Sequence, residues 1–132
     1  MLVHEFLEKS TARFPDKVCL ICEGQRLTYT EVERRANRLA HALQAYGVRR
    51  GDRVVLYLPN SIALVVGIFA ALKAGAVFVV ANYTTKRDKL TYILNNCQAS
   101  ALITSQARAE MAVHMVEDVP SLITMIITGD TA

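Results

Sequence analysis

Residues 53–80 read RVVLYLPNSIALVVGIFAALKAGAVFVV, and the way this stretch divides decides the fold. From Ile62 to Ala81 the only charge is Lys73, and about 20 apolar residues are enough to cross a bilayer, so a membrane span has to be tested first. Local signals split the run instead. Ser61 suits a helix N-cap, and Lys73-Ala74-Gly75 suits a helix stop, with a cation in the last turn and glycine just beyond it. The following Ala76-Val77-Phe78-Val79-Val80 is β-branched and aromatic, the composition of a strand. A helix of about three turns followed by a strand is expected, because the glycine-terminated stop interrupts any span. Upstream, Arg53 to Leu58 carries the unbroken apolar run Val54–Leu58, which predicts a strand buried on both faces.

The same alternation extends in both directions. Downstream it predicts a helix over Lys86–Asn96 using Leu90, Ile93 and Leu94, a strand over Ala101–Thr104, a helix over Ser105–Glu117 and a strand over Leu122–Thr128. Upstream, Arg49-Arg50-Gly51-Asp52 reads as a turn. Before it, Val32, Ala36, Leu39, Ala40, Leu43 and Tyr46 recur at helical spacing, with Gly47 as the stop. Thr30-Glu31-Val32-Glu33 matches a capping box that would open this helix. Lys17–Cys22 and Gln25–Thr28 flank Glu23-Gly24 as a hairpin, and Leu2–Arg13 forms a first helix with Val3, Phe6 and Leu7 on one face and Pro15 beyond its end. The expected fold is α/β: a parallel, doubly wound βαβ sheet with a short N-terminal hairpin. No repeat or linker divides the 132 residues, and the pattern stops just after a strand, leaving its edge without an expected cover.

Composition narrows the function classes. Hydrophobic residues make up 52% and charged residues 20%, a folded rather than disordered balance. A net charge of +3 with no basic stripe interleaved by aromatics argues against nucleic acid, and Arg34, Arg35, Arg38 and Arg49, Arg50, Arg53 read as solvated charges. Three cysteines cannot all pair, which favours reduced thiols and a cytoplasmic location. Cys19 and Cys22 lie within the apolar run 18–22, where buried small side chains are expected rather than a redox pair or metal knuckle. The N-terminus lacks the long apolar segment of a secretory signal.

Catalytic and metal motifs are not found. In open α/β sheets ligands bind beyond the carboxyl ends of the strands, often where a glycine-rich turn meets a helix N-terminus. The turns Pro59-Asn60-Ser61, Ala81–Thr85 and Ser105-Gln106 contain no glycine. His4, His41 and His114 are far apart and stand in no metal motif, and no serine occupies a G-x-S-x-G elbow. No catalytic or metal-ligating residue is therefore assigned.

An ordered set of short motifs carries a resemblance. Leu27-Thr28-Tyr29-Thr30-Glu31-Val32, Gly47-Val48, Gly51-Asp52-Arg53-Val54, Pro59-Asn60-Ser61, Leu72–Phe78, Leu90–Leu94 and Ala101–Thr104 together resemble the adenylate-forming superfamily of acyl- and aryl-CoA ligases, luciferases and nonribosomal peptide adenylation domains. The resemblance covers essentially the whole chain. It implies an N-terminal portion, residues 1–132 being part of the N-terminal subdomain of an AMP-binding ligase that ends before the ATP phosphate loop. It also implies a parent enzyme that activates a carboxylic acid with ATP and Mg2+ to an acyl-adenylate and transfers the acyl group to the thiol of CoA. The chain alone would then be inactive, with the remainder of the parent as its partner. An adenylation domain loading a carrier protein, or a non-catalytic scaffold of the same fold, is the alternative. Lys86, Arg87 and Arg108 are the nearest basic residues to the family's CoA phosphate contacts, beside the reading of solvated charges. The family usually carries prolines shortly after the Lys-Ala-Gly motif, and those places hold Val80 and Tyr83 here, which leaves the turn at Asn82 open. The uncovered last strand implies association or domain swapping of the chain by itself.

Overall fold

A computed structural model describes residues 3–22 and 24–129. Its elements in chain order are helix α1 (Val3–Arg13), strands β1 (Val18–Cys22) and β2 (Gln25–Thr28), α2 (Tyr29–Ala45), β3 (Arg53–Tyr57), α3 (Ile62–Lys73), β4 (Val77–Val80), α4 (Arg87–Asn96), β5 (Ala101–Ser105), α5 (Ala109–Met115) and β6 (Thr124–Thr128). Leu2 and Glu23, named in the expected first helix and hairpin turn, lie outside the described residues.

The central stretch divides as its local signals require. Ser61 caps α3, its Oγ accepting from the Leu64 N–H at 3.2 Å. Ala74 closes the helix and Gly75 follows at φ +77°, a left-handed conformation that glycine adopts without a Cβ clash. No helix among the described residues is long and apolar enough to cross a membrane.

Four parallel strands form the main sheet in the order β4-β3-β5-β6, and β1 and β2 form a separate antiparallel hairpin. Leu56 stands opposite Val80 on one side and Ile103 on the other. Alternate residues of β3 and β5 supply two cores. Val54, Leu56, Ala101 and Ile103 pack under α2 and α3, while Val55, Tyr57 and Leu102 pack under α4 and α5. Helices thus cover both faces, which explains why the strands read as continuous apolar runs. A third cluster joins α1 and the hairpin to α2 and α3 through Leu7, Leu27, Val32, Ile62 and Val66.

Several local expectations are corrected. The capping box sits two residues earlier than expected: Thr28 is the N-cap of α2, its Oγ1 accepts from the Glu31 N–H, and the Glu31 carboxylate accepts from the Thr28 N–H, both at 3.2 Å. Thr30 instead donates to the Pro15 carbonyl at 2.9 Å. On α1 only Leu7 is buried, and Val3 and Phe6 face outward; Tyr46, placed on the apolar side of α2, is also exposed. Cys19 and Cys22 are half-buried at the edge of the third cluster rather than enclosed.

The single helix expected over Ser105–Glu117 is broken into a 3-10 turn (Gln106–Arg108), α5 and a second 3-10 turn (Val116–Asp118). Ser105 belongs to β5 and is buried. Val119 is extended at φ −127°, ψ 83° because Pro120 follows and disfavours helical geometry before it.

Candidate functional site

The strand order places a topological switch point at β3, whose neighbours β4 and β5 are reached by connections over opposite faces of the sheet. Beyond the carboxyl ends of β3 and β4 lies an open cleft of about 440 Å3 lined by Leu58, Pro59, Asn60, Leu64, Val80, Ala81, Asn82 and Tyr83. Its walls have different origins. One is the β3–α3 turn, tightened by Ser61 Oγ donating to the Pro59 carbonyl at 2.8 Å. The other is the segment joining β4 to α4, where Asn82 Oδ1 accepts from the Thr84 N–H at 3.0 Å and the Thr84 hydroxyl at 2.8 Å. An asparagine turn of this kind needs no proline to set its direction, and that settles the geometry at Asn82.

Behind this wall two tyrosines, a serine and an arginine converge. The rings of Tyr57 and Tyr83 are tilted with centroids 5.4 Å apart. Tyr57 donates to the Thr85 carbonyl at 2.5 Å, and the hydroxyls of Tyr83 and Ser105 are bonded at 2.6 Å. Arg108 lies over the Tyr83 ring at 4.4 Å and donates from Nη2 to the Tyr83 carbonyl at 3.2 Å. Its Nε is buried without a partner. Thr104, fully buried, donates to the Tyr57 carbonyl at 2.8 Å, tying the ends of β5 and β3 together.

The three basic residues singled out from the sequence are not brought to one place. Lys86 is exposed at the N-cap of α4, and its ammonium has no hydrogen bond or ion pair among the described residues. Arg87 reaches away to the His114 carbonyl at 3.2 Å and to Asp118 at 3.5 Å, with roughly half of both charged side chains in water. Arg108 joins the tyrosines. The grouping of Tyr57, Tyr83 and Ser105 was not read from the sequence. The one available signal was a tyrosine near the end of an otherwise aliphatic strand, since a buried phenol needs a hydrogen-bond partner.

A second polar cluster lies elsewhere. The Lys73 ammonium pairs with Glu33 and, at 3.0 Å, with Glu8, so that α3, α2 and α1 share one buried cation whose side chain is 7% exposed. No group of three histidine, cysteine or acidic side chains suited to a metal ion occurs among the described residues.

Comparison with known proteins supplies the family. The model of the AMP-binding enzyme family matches residues 7–131. A medium/long-chain-fatty-acid–CoA/3-oxocholest-4-en-26-oate–CoA ligase of Mycobacterium marinum is 34% identical over 128 residues, which cover 97% of this chain and 23% of that protein. Tyrocidine synthase 1 of Brevibacillus parabrevis is 36% identical over 109 residues, 83% of this chain and 10% of that one. Among solved structures, a benzoate CoA ligase from Burkholderia xenovorans superposes with a TM-score of 0.87 at 30% identity, covering 100% of this chain and 27% of its own. The chain thus spans about a quarter of the length of the CoA ligases it matches. With a matching sequence from end to end and a matching fold, the chain belongs to the AMP-binding enzyme family and corresponds to an N-terminal part of it.

Proposed function

We propose that this chain is the N-terminal section of an ATP-dependent carboxylate-activating ligase that forms an acyl-adenylate and passes the acyl group to the thiol of CoA. The observation that carries this reading is the match over 97% of the chain to a fatty-acid CoA ligase more than four times its matched length. In this reading the chain is structural: it supplies a two-faced α/β block and both walls of the cleft beyond β3 and β4, and residues elsewhere in the parent perform the chemistry. The turns following β3, β4 and β5 contain no glycine, so they build no backbone cradle for phosphates. ATP and Mg2+ are accordingly assigned to the rest of the parent enzyme. Of the residues proposed to meet CoA phosphates, Lys86 has an uncommitted ammonium at the N-cap of α4; Arg87 and Arg108 would first have to leave their present partners.

The similarity to Tyrocidine synthase 1 favours a second reading, an adenylation domain whose acceptor is a carrier-protein thiol. One assay separates these readings. The 132-residue chain is expected to show no carboxylate-dependent ATP–pyrophosphate exchange, and exchange catalysed by the pure chain overturns the structural role. The protein spanning the full family length is expected to show exchange with a carboxylic acid and to yield a CoA thioester. Exchange with no thioester from CoA, but loading of a carrier protein, selects the second reading.

A further inference from the structure

The segment 81–86 runs without regular structure across the carboxyl ends of the sheet and forms one wall of the cleft. Ala81 at its start is pinned to the sheet, its N–H donating to the Leu56 carbonyl at 3.0 Å, but beyond it the segment's own bonds are short-range: Thr85 N–H to the Asn82 carbonyl at 2.9 Å, and Thr84 N–H to Asn82 Oδ1 at 3.0 Å. Asn82 and Thr84 are exposed, and a turn held only by such bonds opens easily. Contacts from the sheet side hold it down. Tyr57 takes the Thr85 carbonyl, Ser105 takes the Tyr83 hydroxyl, and Arg108 takes both the carbonyl and the ring face of Tyr83.

We infer that Arg108 is a releasable latch that holds the 81–86 segment against the sheet and thereby sets the width of the cleft. Arg108 engages Tyr83 twice, through a hydrogen bond and through its cation over the ring, and a cation over an aromatic face is attracted by the ring quadrupole. Its hold is incomplete. The buried Nε has no partner, so the guanidinium is not locked by a saturated fork of hydrogen bonds, and an unmet buried donor lowers the cost of leaving. Arg108 also sits at a seam of the chain, at φ −105°, ψ 3° between the 3-10 turn and α5, so its backbone is not fixed within a continuous helix. The latch rests on these contacts alone and stands independently of the ligase reading.

Amide hydrogen exchange on the 132-residue chain tests it. In the wild type the Thr84 and Thr85 amides exchange well below the rate of an unstructured amide. Arg108→Gln accelerates both about tenfold or more while Leu102 and Ile103 in the centre of β5 keep their rates, and Arg108→Lys, which retains a cation but not the planar fork, gives a smaller rise. Unchanged Thr84 and Thr85 rates in Arg108→Gln overturn the latch. So does an equal acceleration of Leu102 and Ile103, which would make Arg108 a support of the whole fold. Should Arg108→Gln fail to fold, the wild type and Arg108→Lys decide: unprotected Thr84 and Thr85 in the former, or no rise in the latter, overturn the inference.

Discussion

Lys73 shows how a side chain legible as a helix-ending cation takes on a larger part once the chain is folded. At the C-terminus of α3 it meets the helix dipole, as its position in the sequence implies. It also brings together Glu33 and Glu8 from two other helices, and both Lys73 and Glu33 are largely withdrawn from water. Removing one member of a buried pair leaves the other charge uncompensated, so Lys73→Met is expected to destabilise the fold by about 3–5 kcal/mol in urea titrations. Glu8→Gln, at a partner with 48% of its side chain exposed, should cost much less. Cys19 is the second instructive residue. Burial pushes its thiol above the ordinary value by disfavouring the thiolate. The folded state therefore binds this proton more tightly than the unfolded state. Its contribution to stability is complete below the unfolded thiol value and is lost as pH rises through the folded one. Cys19 should accordingly alkylate more slowly in the native chain than in urea at mildly alkaline pH, read by peptide mass spectrometry, and equal rates would contradict this.

Among the elements, α2 and α5 teach different lessons. The periodicity of α2 identified Val32, Ala36, Ala40 and Leu43 correctly as its buried face. Its start was misplaced because Thr28 and Thr30 each stand three residues before a glutamate, Glu31 and Glu33, so two capping boxes compete in the sequence. The choice is made by packing. Glu33 is drawn to Lys73 and Thr30 to the Pro15 carbonyl, leaving Thr28 and Glu31 to satisfy the helix end. Thr28→Ala should then cost about 1 kcal/mol by chemical denaturation, with Glu31→Ala less than additive to it, because the two side chains serve each other. A larger loss from Thr30→Ala than from Thr28→Ala would reverse the assignment. Around α5 a run that composition alone reads as one helix is broken by 3-10 turns at Gln106–Arg108 and Val116–Asp118, the second leading into the extended Val119 before Pro120. The close packing of α3 on β3 has its own signature at Gly67, where an added Cβ would lie 3.0 Å from Leu56 Cδ2. A glycine in an apolar helix gave no indication of which strand it would touch.

Across the whole molecule, the sheet ends in two strands with uncharged, proline-free edges, β4 (VFVV) and β6 (TMIIT). Folded proteins usually blunt such edges with charge, proline or a cover. The 132-residue chain is expected to associate with rising concentration in light scattering, and Ile127→Lys, at an exposed position of β6, should suppress this. A wild-type chain that stays monodisperse and monomeric would refute the expectation. The succession of strands and helices, the burial of β3 on both faces and the family were all determined by the sequence itself, because apolar periodicity and stop signals act over a few residues. The tertiary structure alone decided which polar side chains meet. Lys73 and Glu8 lie 65 residues apart and Arg108 and Tyr83 lie 25 apart, and contacts at such separations depend on how helices cross and strands order rather than on any local pattern. Arg87, after the turn at Asn82, and Arg108, after the following strand, looked alike as basic candidates for one phosphate site. The fold sent one to α5 and the other beneath the strap at the cleft, because α4 and the end of β5 present them to different neighbours.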